Sequence, residues 1–167
     1  MIVVSDTSPL NYLVLIGHVD VLPVIFSRVV APPAVLAEMI QSGAPKLVTN
    51  WAMSPPSWLE VIAPEKVDAN LPLGCGEIEA ISLAQQLKAD RLLVDERKAS
   101  VIARQLGLAI TGTLGVLSIA AERNLLVLPT AIGALRQTNF RGPPDLIDLL
   151  LKQDEQRRSG GDNVTRA

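Results

Sequence analysis

Asp6 and Asp95 each follow a short apolar run, Ile2-Val3-Val4-Ser5 and Leu92-Leu93-Val94. Between them, Gly74-Cys75-Gly76-Glu77 opens an apolar-periodic segment, and Glu38 lies late in another, Pro33 to Ile40. Runs of this length, rich in aliphatic residues, read as buried parallel strands. In open α/β sheets the ligand site lies beyond the carboxyl ends of the strands. If the two strands are neighbours, Asp6 and Asp95 meet at one edge, with no basic residue next to either in sequence. Carboxylates gathered without counter-charges need a metal ion. A hard divalent cation such as Mg²⁺ or Mn²⁺ takes carboxylate oxygens plus waters, and such a site suits hydrolysis of phosphodiesters.

Each acid also has a plainer role. Asp6 stands where an N-cap for a helix starting at Ser8 or Pro9 belongs. Asp95 can be a turn residue after a strand, with Glu96 and Arg97 as solvated neighbours. Glu77 is favoured in a first helical turn by the helix dipole. Glu38 can be a surface charge on an amphipathic helix. Their joint occurrence at compatible places favours a shared site. Between Glu77 and Glu79, about 200° apart around a helix, only one can face that site. Glu77 borders the expected buried stripe of Ile78, Ile81, Ala84 and Leu87, and is the choice.

Competing chemistries find little support. There is no phosphate-binding Gly-x-x-x-x-Gly-Lys-Ser/Thr loop. His18 is the sole histidine and Cys75 the sole cysteine, which leaves no zinc set, no serine triad and no intrachain disulfide. His18, after Gly17, reads as a helix-end or surface residue. The lone cysteine suits a reducing cytosol. The 15 basic residues against 17 acidic give a net charge of −2, which argues mildly against tight stand-alone nucleic-acid binding.

Positioning these acids requires an α/β scaffold. The 167 residues suit one domain, residues 1–156, with a polar, disordered tail at 157–167. Apolar residues make up 49% and aromatics 3%, so the core must be aliphatic. No stretch approaches the roughly 20 apolar residues of a spanning helix, and the opening residues read as a strand rather than a signal peptide. Strands are expected at 2–5, 28–31, 91–94 and 108–111, with a possible edge strand at 59–63. Helices are expected over 8–16, 33–40, 77–88, 98–106, 113–124, 129–137 and 143–156. A shorter helical stretch over 19–26 is interrupted at Pro23. Residues 44–73 show no clear pattern. The expected architecture is a three-layer α/β/α sandwich on a short parallel sheet of four to five strands.

With these residues in place, the chain resembles a PIN domain, and more narrowly a prokaryotic PIN subgroup related to toxin–antitoxin toxins. The resemblance rests on Val4-Ser5-Asp6-Thr7-Ser8-Pro9-Leu10, Pro33-Ala34-Val35-Leu36-Ala37-Glu38 and Gly76-Glu77-Ile78-Glu79-Ala80-Ile81-Ser82-Leu83-Ala84. It continues through Leu92-Leu93-Val94-Asp95-Glu96 and Gly112-Thr113-Leu114-Gly115-Val116-Leu117, in family order over about residues 1–125. It implies a Mg²⁺- or Mn²⁺-dependent ribonuclease with catalytic residues Asp6, Glu38, Glu77 and Asp95, of which Asp6, Glu77 and Asp95 hold the metal. Thr7 and Thr113 would add hydroxyl hydrogen bonds near the site or cap helices. The resemblance also implies an RNA substrate, products with a 5′-phosphate and a 3′-hydroxyl, a cytoplasmic location and a small antitoxin partner. Arg97, Lys98 and Arg104 are candidate phosphate contacts. A homodimer is expected, and the apolar stretch Asp145 to Leu151 could pack on a second copy. The alternatives are a catalytically weak or inactive binding module on the same fold, and a small-molecule phosphatase using the same acids.

Overall fold

The computed structural model describes residues 1–162, with side chains as far as residue 160. Residues 1–113 form one compact unit and the chain from Leu114 onward a second.

The first unit is built on a five-stranded, all-parallel sheet in the order β3-β2-β1-β4-β5. Its strands are β1 (Ile2–Ser5), β2 (Arg28–Ala31), β3 (Leu59–Val61), β4 (Arg91–Leu93) and β5 (Ile110–Thr111). This is the α/β, PIN-like sheet expected of a three-layer fold, and Leu59–Val61 is indeed an edge strand. Val3, Val4, Val30 and Leu93 are fully buried. Covered on both faces, these strands read as unbroken apolar runs instead of alternating ones.

The order of the strands decides where a site can form. The chain builds outward from β1 through β2 to β3, then returns to the other side of β1 for β4 and β5. Between β1 and β4 the order reverses, and such a switch point opens a crevice at the carboxyl edge. The register pairs Ser5 with Leu93, and the Asp6 N–H donates to the Leu93 carbonyl at 2.9 Å. Asp6 therefore lies at the mouth of that crevice, with Asp95 two residues beyond the end of β4.

The connections are helical: α1 (Thr7–Leu15), α2 (Leu22–Ile25), α3 (Pro33–Met39), α4 (Lys46–Met53), α5 (Cys75–Gln86) and α6 (Arg97–Gln105). Pro23 opens α2 after a 3₁₀ turn at Val19–Val21, where the sequence suggested an interruption. The sequence also gave no sign of α4. Its eight residues sit between Pro45 and Ser54-Pro55-Pro56, and only Val48 and Ala52 are buried, too short a stripe to establish a period. Trp51 on α4 meets Trp58 with ring centroids 6.1 Å apart. Helix α5 ends at Gln86 instead of Lys88, because Lys88 turns into the left-handed region at φ +49°. Its buried set is Ala80 to Ala84 together with Gly76, while Ile78 and Leu87 are only half-buried. That set is wider than one stripe, since α5 packs on α3 as well as on β1 and β4.

The second unit carries α7 (Thr113–Glu122, whose first residue belongs to the first unit), α8 (Leu128–Arg136) and α9 (Pro144–Asp162). Its buried residues include Leu117, Leu128, Ile132, Leu135 and Ile147. Helix α9 continues through Arg157 to Asp162, where the sequence suggested a disordered tail. Arg157 and Arg158 fasten it by pairing with the buried Asp154 at 2.6 and 2.9 Å. The remainder of the expected tail lies outside the described residues. Among the described residues no single helix is long and apolar enough to cross a membrane.

Candidate functional site

Asp6 occupies the N-cap position of α1 with extended backbone, yet its side chain makes no capping hydrogen bond. The ordinary explanation for this aspartate therefore does not hold. Its carboxylate is buried, at 3% exposure, and Oδ1 has no hydrogen-bond partner. Burial pushes its pKa up to about 7, and the charges of Glu77, Glu38 and Asp95 push the same way. The Thr7 backbone amide opposes the rise. All four predicted acids thus share one electrostatic neighbourhood, entirely within the first unit.

The other three are held by neutral donors. Glu38 reaches from α3 to the start of α5, where the Gly76 N–H donates to Oε1 at 2.9 Å. The Thr7 hydroxyl donates to Glu38 Oε2. Asp95 accepts two bonds from Thr113, from N–H to Oδ1 and from the hydroxyl to Oδ2, both 2.7 Å. Burial raises the Asp95 pKa, and the Thr113 bonds act against that rise. Glu77 lies in the first turn of α5, and its Oε2 takes the Gly74 N–H at 2.9 Å. It thus fills the cap-linked role as well, closing the helix start while its charge bears on Asp6. Each of these donors is a backbone amide or a threonine hydroxyl, and none is a cation.

Two neighbouring acids are turned to other helix starts, and neither bears on Asp6. Glu96 caps α6 through the Ala99 N–H at 2.7 Å and is not a free solvated charge. Glu79 points away to α3, where its Oε2 accepts the Ala34 N–H at 3.0 Å. Helix α3 opens on Pro32-Pro33, which supply neither a side-chain cap nor a first-turn N–H, so its first free donor is satisfied from α5. The Glu79 and Gly76 bonds together clamp α3 to α5 and fix the approach of Glu38. Replacing Glu96 by alanine should lower unfolding stability by about 1 kcal/mol, the ordinary value of a helix cap. A denaturant titration checks this, and an unchanged midpoint would mean that the cap is idle.

The glycines are the residues the sequence did not single out as functional. A Cβ on Gly76 would stand 2.6 and 2.7 Å from the two Glu38 oxygens, and one on Gly112 would stand 2.8 Å from Asp95 Oδ1. Neither glycine has positive φ; each is needed for close approach of a carboxylate to backbone. The signal lay in Gly-Cys-Gly-Glu and Thr-Gly-Thr, where a small residue stands beside each anchoring donor.

His18 and Cys75 lie elsewhere. The His18 N–H closes the end of α1 on the Leu13 carbonyl at 2.9 Å, behind Gly17 at φ +74°. Cys75 is exposed at the first position of α5. Arg97, Lys98 and Arg104 are exposed on α6.

A family model described as a PIN domain matches residues 2–156. The chain belongs to the PIN domain family. No curated protein and no solved structure matched the chain in the same comparisons. PIN domains have a nuclease-type fold and generally act on nucleic acids, usually with divalent metals. In this PIN domain the donor set is compatible with such an ion. It is all oxygen, and the buried Asp6 Oδ1 has no partner of its own. Among the described residues no three acids are drawn together into a ready-made cage.

Proposed function

We propose that this PIN domain is a metal-dependent ribonuclease that hydrolyses phosphodiesters at Asp6, Glu38, Glu77 and Asp95. The observation that carries the reading is the buried Asp6 oxygen without a partner, on which the charges of Glu77, Glu38 and Asp95 bear and, among the described residues, no cation does. A buried carboxylate in that setting is costly unless a positive charge completes it. Asp6, Asp95 and Glu77 would hold Mg²⁺ or Mn²⁺, directly or through water. The bound ion would supply a water of lowered pKa and charge neutralisation at the scissile phosphate. Glu38, held by Thr7 and Gly76, would orient the attacking water. Thr113 would keep Asp95 facing the crevice, and exposed Arg97, Lys98 and Arg104 would meet substrate phosphates at a salt-dependent cost.

The toxin half of a toxin–antitoxin pair in the cytoplasm is the setting that the subgroup resemblance suggests, with a small protein as inhibitor. A gene for such a protein beside this one would support it.

One observation favours the second reading, a binding module without catalysis. Both oxygens of Glu38 and both of Asp95 already have protein donors. A single experiment separates the two readings: Mn²⁺-dependent cleavage of a mixed RNA pool by wild type and Asp95→Asn, with EDTA as control. Cleavage that needs both the metal and Asp95 is the expected result. Equal background from two folded proteins would overturn the nuclease reading.

A further inference from the structure

Helices α3 and α5 both begin without a cap of their own. Pro32 precedes α3 and Gly74 precedes α5, and neither has a side chain that can accept a first-turn N–H. In each case the second helical residue turns to the other helix. The Ala34 N–H of α3 donates to Glu79 Oε2 of α5 at 3.0 Å, and the Gly76 N–H of α5 donates to Glu38 Oε1 of α3 at 2.9 Å. Ala34 and Glu38 are one turn apart on α3, and Gly76 and Glu79 are one turn apart on α5. The two bonds therefore close a ring, with a turn of helix on either side and a glutamate at each crossing. Both carboxylates sit where the helix dipoles favour negative charge. The second oxygen of Glu38 takes the Thr7 hydroxyl at the start of α1, next to Asp6. Three helix starts are gathered by two glutamates, of which only Glu38 bears on Asp6.

We propose that Glu79 is a positioning residue: by holding the start of α3 it keeps Glu38 against Gly76 and Thr7, and so sets the Glu38 carboxylate in the crevice. Two features separate this role from that of an ordinary helix cap. Pro33 has no N–H, and the Val35 N–H closes on the Pro32 carbonyl at 3.1 Å, so Ala34 is the first-turn donor left for α5 to hold. Helix α3 is also only seven residues long, so a shift at its start is carried to Glu38 one turn on. Glu79 itself does not bear on Asp6, and its influence on the crevice passes through Glu38. What position 79 must supply is an oxygen acceptor at the right reach, which glutamine also has. The catalytic consequence rests on the nuclease reading, whereas the clamp does not.

Amide exchange followed by NMR on the full, metal-free chain reads the ring directly. Glu79→Ala should speed exchange at Ala34 and, across the ring, at Gly76, each by at least about tenfold. Glu38→Ala should do the reverse, releasing Gly76 at once and Ala34 from the far side. Glu79→Gln should keep Gly76 near its wild-type rate. The Ala99 N–H, held by Glu96 on α6 at 2.7 Å, reports global loosening and should stay constant throughout. With RNA and Mn²⁺, Glu79→Ala should lower kcat about 10–100-fold with KM little moved, and should add less than about twofold to the loss caused by Glu38→Ala. Faster exchange at Ala34 alone would reduce Glu79 to a local cap and overturn the proposal. So would losses of kcat that multiply independently in the Glu38→Ala, Glu79→Ala double variant. Should Glu79→Ala fail to fold, the Glu38→Ala arm decides, and an unmoved Ala34 there overturns the ring. A wild type that cleaves no RNA overturns the nuclease reading instead, and exchange at Gly76 then decides the clamp by itself.

Discussion

Asp6→Asn should abolish metal-dependent cleavage, with a loss of at least about 10³-fold, while making the metal-free protein more stable at alkaline pH. Both effects come from one buried carboxylate. The asparagine keeps the shape and removes the charge that would hold the ion. On the stability side, the folded protein retains the Asp6 proton up to about pH 7, whereas the unfolded chain loses it near 3.8. Because the folded-state pKa is the higher one, this residue's contribution is fully present below about pH 4. It is lost progressively as pH rises towards about 7. The gap corresponds to on the order of 4 kcal/mol. Asparagine at position 6 cannot pay that penalty, so the variant should gain on wild type steadily between pH 4 and pH 8 in EDTA. Denaturant midpoints at pH 5 and pH 8 measure the difference. Added Mg²⁺ or Mn²⁺ should raise the wild-type midpoint at pH 8 and leave Asp6→Asn unmoved. A variant less stable than wild type at pH 8 without metal would mean that Asp6 is a structural anchor and not a metal ligand.

Gly76→Ala is the second large effect, and its sign depends on Glu38. In wild type the new methyl collides with both Glu38 oxygens, at 2.6 and 2.7 Å. The carboxylate must leave, which forfeits its bonds from the Gly76 N–H and the Thr7 hydroxyl. Hydrogen bonds to a charged acceptor contribute about 1.5–3 kcal/mol. Glu38 is half-buried and its end can swing out, so the net cost should be nearer 1–2 kcal/mol, with cleavage falling about 10²-fold. In a Glu38→Ala background the collision disappears. Only the better helix propensity of alanine remains, so the same substitution should stabilise by about 0.5–1 kcal/mol. A double-mutant cycle on the denaturant midpoint reads this reversal directly. Equal effects of Gly76→Ala in the two backgrounds would show that Gly76 does not cradle Glu38. Gly112→Ala should act on Asp95 in the same way, through Oδ1 at 2.8 Å.

Much of the first unit was determined by local pattern. Ile2-Val3-Val4 and Arg28-Val29-Val30-Ala31 leave no conformational choice once they are buried on both faces, and both strands form where the pattern places them. Asp6, Glu38, Glu77 and Asp95 could be named from their positions at strand ends and on helices, because strand ends at a switch point converge. What a linear pattern cannot carry is the partner of a side chain. Whether Asp6 caps α1 or points into the crevice is a matter of rotamer and neighbours, and only the packed structure leaves its Oδ1 without a donor. Glu96 and Glu79 look like Asp95 and Glu77 in sequence, yet one caps its own helix and the other a helix 45 residues away. The roles of Gly76 and Gly112 arise from atoms that approach from α3 and from the end of β4, and glycine carries no side chain to advertise the need. Helix α4 and the extension of α9 were hidden for a related reason. The first buries too few residues to show a period, and the second is held by Arg157 and Arg158 pairing with Asp154 three and four residues back on the same helix, in a segment whose polar composition reads as a tail. Sequence determined which elements form and which acids could meet. Tertiary packing decided which of those acids lack a partner, because satisfaction of a polar atom depends on its neighbours in space.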